Sequence, residues 1–289
     1  MIRTMDQVMH SAVVAVTGCT GNVGSLLVAV LRDKGFPVRA LIRKDDTHTT
    51  DPLSRHFDFL DPTTFAGAFE GVKALFLMRP PAIAKSKLIT SAIDAAIAAG
   101  VQRITFLSIQ GAEKNPLVPH YAIERHLQRT TIAWTFLRAA FFMQNLTTTH
   151  RDDIREHDDL LMPAGNGRTA FVDVRDVAAA AAITLTEDGH ANIAYELTGI
   201  TAPTYTEVAV ILSQALGRAI RYEPSIIHFW KRMRDRGHPV AFILVMIALY
   251  TVARFGRAGH LTDDLPKLIG RPAITLDRFA ADSVSLWRR

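Results

Sequence analysis

Three glycines stand at a spacing that serves one kind of chemistry. The run Val16-Thr17-Gly18-Cys19-Thr20-Gly21-Asn22-Val23-Gly24 follows an apolar stretch and opens an amphipathic one. In a strand–turn–helix, Gly18 allows the tight turn and Gly21 lets a pyrophosphate approach the backbone. Gly24 lets the helix sit close on the strand. The N-terminus of that helix offers free N–H groups and a partial positive charge to phosphate. Thr20, Asn22 and Val23 are therefore expected beside the phosphates. About twenty residues on, where an acidic side chain would hold a ribose 2′-hydroxyl, the chain instead has Arg43 and Lys44. A guanidinium forks onto a 2′-phosphate, so the expected cofactor is NADP(H). Asp45 and Asp46 leave a plain mixed-charge loop as the alternative.

The elements that must hold this loop can be read from the hydrophobic rhythm. Through the first 140 residues, short β-branched runs (11–17, 38–42, 55–59, 72–77, 103–108, 134–137) alternate with helical ones (23–34, 62–69, 83–99, 120–129). That alternation specifies a Rossmann-like doubly wound parallel sheet in an α/β fold. Residues 1–150 are read as the NADP(H)-binding domain. Residues 151–289 are read as a smaller, mainly helical cap, interleaved with the core and carrying the substrate site; around its start, 141–149 reads as helical and 152–161 as a loop or ribbon. Open α/β sheets bind ligands at the carboxyl ends of their strands. Asp58 and Phe59 at the third strand's end are thus candidates for the adenine, with a simple loop start as the alternative for Asp58. Leu77, Met78 and Arg79 at the fourth, Ser108 at the fifth and Phe141 after the sixth are candidates to border the cofactor.

These blocks resemble the NmrA-like atypical short-chain dehydrogenase/reductases over nearly the whole chain. The resemblance rests on the glycine loop, on Leu107-Ser108-Ile109-Gln110-Gly111-Ala112 and His120-Tyr121-Ala122-Ile123-Glu124, and on Phe141-Phe142-Met143-Gln144-Asn145 and Phe171-Val172-Asp173-Val174. It implies either an NADPH-dependent reductase of a small apolar or aromatic acceptor (quinone, enone, carbonyl or imine) or a non-catalytic NADP(H) sensor. The superfamily's Tyr-x-x-x-Lys pair is matched only as Tyr121 with Arg125. Aligning residues 134–138 with related reductases puts His120 where benzylic ether reductases carry an active-site lysine. His120 is preferred over Tyr121 as the polar group facing the nicotinamide, with Glu124 one turn later expected to orient the ring or raise its pKa. Phe142, Met143, Asn145, Phe229, Trp230, Met233, Phe242 and Met246 are expected to wall the acceptor pocket, core packing being the alternative for each.

Composition narrows the class. A net charge of +5 is mild and its cations are scattered, with no nucleic-acid motif. The single cysteine, Cys19, excludes a disulfide framework and points to a reducing compartment, the cytoplasm. Residues 1–11 lack the apolar core of a signal peptide. The eleven histidines show no metal spacing, and no metal is expected. The apolar run 240–253 is shorter than the roughly 18–20 residues of a transmembrane helix and is read as a buried helix. The expected partner is a small-molecule substrate, with no nucleic acid and no membrane, for a monomer or homodimer.

Overall fold

The computed structural model describes residues 12–43 and 51–289. The chain divides into two compact units. One gathers the chain up to Ala139 with Val174–Leu197 and Lys267–Gly270; the other gathers Ala140–Asp173, Thr198–Pro266 and Arg271–Arg289.

In chain order the first elements are β1 (Val13–Thr17), α1 (Asn22–Asp33), β2 (Val38–Ile42), β3 (Arg55–His56), α2 (Phe65–Phe69), β4 (Val72–Met78), α3 (Ser86–Ala98), β5 (Arg103–Ile109), α4 (Pro119–Leu127) and β6 (Ala133–Ala139). There follow β7 (Phe141–Phe142), α5 (Arg151–Glu156), β8 (Asp159–Leu161), β9 (Phe171–Val172), α6 (Val174–Thr186) and β10 (Ile193–Leu197). The chain ends with α7 (Tyr205–Leu216), β11 (Arg221–Glu223), α8 (Ile226–Asp235), α9 (Val240–Arg254), α10 (Asp264–Ile269) and α11 (Leu276–Trp287).

In the first unit, seven strands form one parallel sheet in the order β10-β6-β5-β4-β1-β2-β3. Side chains alternate faces along each strand. Leu75, Leu77, Ile104, Phe106 and Phe136 share a core with Phe69 of α2, Ile93 of α3 and Ile123 of α4. The alanine-rich α6 packs against α1, β4, β5 and β6, its small side chains allowing close approach. This is the expected doubly wound fold. The chain winds outward from β1 to β3 and then returns to β4 on β1's other side, so the carboxyl ends of β1 and β4 diverge into a crevice.

Thr17 closes the floor of that crevice. Its hydroxyl donates to the Phe76 carbonyl (3.0 Å) and accepts from the Met78 N–H (2.8 Å), extending the β1–β4 pairing past the last strand register. Gly18 then turns with φ +62°, and a Cβ there would lie 2.1 Å from Met78 Sδ.

Local expectations differ from the structure in four places. The third strand is Arg55–His56 rather than 55–59, because Asp58 accepts from the Leu60 N–H and turns the chain. Residues 141–149, read as helical, begin instead with β7 paired to β9, followed by a 3-10 turn over Met143–Leu146. Residues 152–161, read as loop or ribbon, contain most of α5 and all of β8, which pairs with β11. The fourth difference is the largest. The run read as a buried helix is α9, yet only Ile243, Tyr250 and Ala253 are buried along it. Val240, Phe242, Leu244, Val245, Leu249 and Val252 are exposed.

The second unit is held by aromatic packing and by ion pairs, the most buried of them around Asp153. Tyr250 packs against Phe141, Tyr205 and Phe229, and its hydroxyl hydrogen-bonds to the buried His150. Asp153, fully buried, accepts from Arg232 (3.0 Å) and Arg236 (2.8 Å). Trp287 Nε1 donates to the Leu146 carbonyl (2.9 Å), fixing the chain's last helix.

Thr17→Val keeps the shape but strands the Met78 N–H in a buried seam. We expect a loss of about 1–3 kcal/mol in urea unfolding, the cost of one unsatisfied buried group. An unchanged midpoint would mean that the seam does not depend on this hydroxyl.

Candidate active site

The glycine loop is built around the Gly18 carbonyl, which accepts from the Gly21 N–H at 2.9 Å. A Cβ on Gly24 would sit 2.2 Å from that oxygen, so only glycine lets α1 start so close to β1. Gly21 differs. Its backbone is extended (φ −88°), a Cβ there would meet only the Gly18 oxygen at 3.3 Å, and the residue is exposed. The demand for a small residue at Gly21 therefore comes mainly from outside the loop. Helix α1 has no side-chain cap and no acidic residue in its first turn. Thr20, Gly21 and Asn22 are exposed, while Val23 is buried beneath them. The first-turn N–H groups of a helix have no intrahelical partners, and its dipole favours an anion there. The loop fits a pyrophosphate. Cys19 Sγ ties it to β2 through the Leu41 carbonyl (3.3 Å).

Arg43 leaves β2 exposed to solvent, and Lys44 lies outside the described residues. Sequence reasoning missed two neighbours of Arg43. Strand β3 pairs Arg55 with Leu41 and His56 with Ile42, so Arg55 and His56 line the same groove as Arg43. Both stand on a two-residue strand, and only the pairing with β2 brings them to that groove. Asp58 serves its own turn, and Phe59 is buried edge-on against Phe57. The Phe59 ring is therefore core, against the expectation that it touches adenine.

At the end of β4, Leu77 is fully buried and Met78 lies under Gly18. Arg79 folds back on its own loop, donating to the carbonyls of Pro80 (3.0 Å), Pro81 (3.3 Å) and Ile83 (2.6 Å). Its Nε is buried without a partner. His120, in the first turn of α4, is also buried; its ring stacks on Phe106, and its Nδ1 has no partner. Burial first, and the nearby Arg79 cation second, push the His120 pKa down to about 4. The imidazole is thus neutral at neutral pH.

Glu124 shares the buried face of α4 with His120, as the helical spacing requires, but it does not serve His120. It accepts from Ser108 Oγ (2.6 Å), Arg138 Nε (3.1 Å) and an Arg138 terminal nitrogen (2.7 Å). Glu113 meets the same guanidinium at 3.3 Å. Its carboxylate makes no hydrogen bond to His120, and burial and Arg79, not Glu124, set that ring's pKa. Ser108, expected to border the cofactor, spends its hydroxyl on Glu124. Sequence reasoning missed Arg138 and Glu113 because their pairing crosses from β6 to a 3-10 turn after β5. Tyr121, on the half-buried side of α4, has no hydrogen bond through its hydroxyl among the described residues.

The expected pocket residues lie in the second unit. Phe229 and Met233, at i and i+4 on the inner face of α8, are buried in its core, as is Met143. None of the three presents a wall in this structure, since the inner face of an amphipathic helix packs inward. Phe141 is half-buried, edge-on to Phe171 and close to Tyr250. Phe142 and Asn145 are half-buried, Met246 packs partly on the core, and Trp230 and Phe242 are exposed.

Known proteins resemble this chain over nearly its whole length. The sequence profile of the NmrA-like family matches residues 10–260. An NAD(P)H azoreductase from Xenophilus azovorans is 34% identical over 277 residues, covering 92% of this chain and 96% of the relative. The crystal structure of Citrobacter sp. triphenylmethane reductase complexed with NADP(H) superposes with a TM-score of 0.82 at 30% identity, covering 94% of this chain and 99% of that one. An NADPH-dependent quinone oxidoreductase from Escherichia coli complexed with NADPH superposes with a TM-score of 0.82 at 29% identity, covering 94% and 98%.

The neutral, buried imidazole makes stability pH-dependent. Below pH 6.5 the unfolded chain takes up a proton that folded His120 refuses until about pH 4. Stability from this residue is therefore complete above pH 6.5 and lost as pH falls toward 4, by up to about 3 kcal/mol. His120→Leu should flatten that part of the acid branch in urea melts across pH. An unaltered slope would mean a solvated imidazole.

Proposed function

The chain belongs to the NmrA-like family, and from that premise we propose that it is an NADPH-dependent reductase of apolar, conjugated acceptors such as quinones and enones. One observation carries the reading. The uncapped glycine loop, fitted to a pyrophosphate, stands on the same sheet edge as two buried nitrogens without hydrogen-bond partners, Arg79 Nε and His120 Nδ1. Buried polar groups are almost always satisfied, so a pair of orphans beside a ligand loop supports a missing hydrogen-bonding partner. Thr20, Gly21 and Asn22 would hold the pyrophosphate, and Arg43 would meet the 2′-phosphate. When bound, the nicotinamide supplies a hydride.

The chain's own residues then have a defined task. A ring held neutral cannot deliver a proton as imidazolium at pH 7. It can donate an N–H to an oxygen on which negative charge develops, and a donor fixed before reaction stabilises that charge without reorganising. Arg79 adds a cation nearby. Both favour acceptors that become anionic on hydride addition, quinones and enones above iminium-type cations, and solvent supplies the final proton. His120 is preferred to Tyr121 because the imidazole is buried and fixed by stacking on Phe106, whereas Tyr121 is half exposed.

Two measurements test this. Arg43→Ala should reduce the NADPH-over-NADH preference in binding by about ten- to a hundredfold, the worth of one charge-assisted contact. Equal wild-type affinities for the two cofactors would remove the 2′-phosphate assignment. With NADPH oxidation followed against a panel of quinones, enones and cyclic imines, His120→Leu should lower kcat/KM by about 10²-fold or more, and Tyr121→Phe by less. The wild-type rate should show no His120 inflection near pH 6.5. If NADPH binds but no acceptor is reduced, the protein is a sensor of the cofactor and not a reductase.

A further inference from the structure

We propose that the exposed face of α8 and α9 docks on an anionic lipid bilayer. The observation is the surface itself. Helix α9 runs for 15 residues, and apart from Arg254 at its end its exposed positions are all apolar: Val240, Ala241, Phe242, Leu244, Val245, Ala248, Leu249 and Val252. Ile226, Ile227 and Trp230 of α8 are exposed as well. A helix apolar on every side requires something to cover it, and an exposed apolar patch of this extent marks an interaction site. At 1.5 Å per residue, α9 is about 22 Å long, short of the roughly 30 Å hydrocarbon core, so it can lie in a bilayer surface but not cross it. No helix among the described residues is long and apolar enough to span.

Charge decides between a lipid surface and a second copy of the chain. From residue 231 to residue 257 the sequence holds Lys231, Arg232, Arg234, Arg236, Arg254 and Arg257 against the single acid Asp235. Arg232 and Arg236 are committed to Asp153 and Asp159. Lys231, Arg234, Arg254 and Arg257 are exposed and form no ion pair among the described residues. The apolar surface is thus bracketed in sequence by cations: Lys231 and Arg234 before α9, Arg254 and Arg257 at and beyond its end. In a two-fold pair each copy presents the same patch to the other, and these cations would meet their own kind. Anionic lipid headgroups complement them, and insertion of the apolar side chains beneath the headgroups adds the hydrophobic contribution. Trp230, with a large apolar ring and a polar N–H, suits the boundary between the two. The inference is independent of the reductase reading, since it rests on α8 and α9 alone.

Flotation of the full-length protein with large unilamellar vesicles tests it. Binding to phosphatidylcholine–phosphatidylglycerol vesicles should be at least tenfold tighter than to phosphatidylcholine alone and should weaken steeply with salt. Leu249→Asp and Arg257→Glu, both on exposed positions, should each reduce it severalfold while leaving the thermal transition intact. Trp287 is fully buried and Trp134 is half-buried against the first unit's core, so a blue shift of tryptophan emission on adding anionic vesicles that Trp230→Phe abolishes reports Trp230 entering the interface. Absence of binding to anionic vesicles overturns the proposal. If light scattering then finds a dimer that Leu249→Asp dissociates, the occupant is a second copy; if it finds a monomer, the face has neither partner.

Discussion

The seam between β1 and β4 is the constraint on which the nucleotide end of the molecule depends. It is where the strand order reverses, so two strands that pair along their length must part at their carboxyl ends. Thr17 bridges the parting with one hydroxyl that both donates and accepts, and Gly18 then leaves with a backbone angle that L side chains rarely adopt. Gly18 in turn presents its carbonyl to Gly21 and leaves no room for a side chain on Gly24, which draws α1 down onto the loop. The uncapped end of α1 is therefore aimed by packing within the loop, and Arg79 leaves the other lip of the same crevice.

A second constraint is electrostatic. Glu124 is almost fully buried, and an isolated carboxylate in that position would be very unfavourable. It is tolerated because Arg138 supplies two N–H donors and Ser108 a third. Burial works against the Arg138 cation, but Glu124 and Glu113 outweigh it and hold its pKa above the ordinary value. The network pins α4 to β5 and β6, and so sets where the first turn of α4, with His120, must stand. Glu124 directs its carboxylate to Ser108 and Arg138 and makes no hydrogen bond to His120. Burial next to Arg79 then leaves that ring neutral.

The second unit uses the same logic with a different result. Asp153, fully buried itself, gathers Arg232, Arg236 and His150; burial opposes its charge, yet these partners hold its pKa below the usual carboxylate range. Tyr250 sits in the aromatic core, and desolvation keeps its phenol protonated. These interactions secure the inner sides of α8 and α9. They consume two of the cations on and just after α8, and leave the outer apolar surface uncovered and the remaining cations without an ion pair among the described residues.

Much of the first unit was legible in the residues. Strand–helix alternation specified the doubly wound sheet, because buried parallel strands must be continuous apolar runs and their crossovers must be amphipathic. The shape of the glycine loop and the place of Arg43 at the end of β2 were legible for the same reason: both depend on local backbone geometry and on adjacency to a strand end. Periodicity also put His120 and Glu124 on one face of one helix. What it could not tell was which partner Glu124 would find, since Arg138 and Ser108 come from separate strands and meet it only when the sheet closes. Nor could it tell that Phe59, Phe229 and Met233 would be core, or that α9, apolar along its whole length, would bury only one side. Sequence determines what a side chain can do and which face of its element it occupies. Whether that face meets water, a charge or another element is decided by long-range packing, which has no local signature.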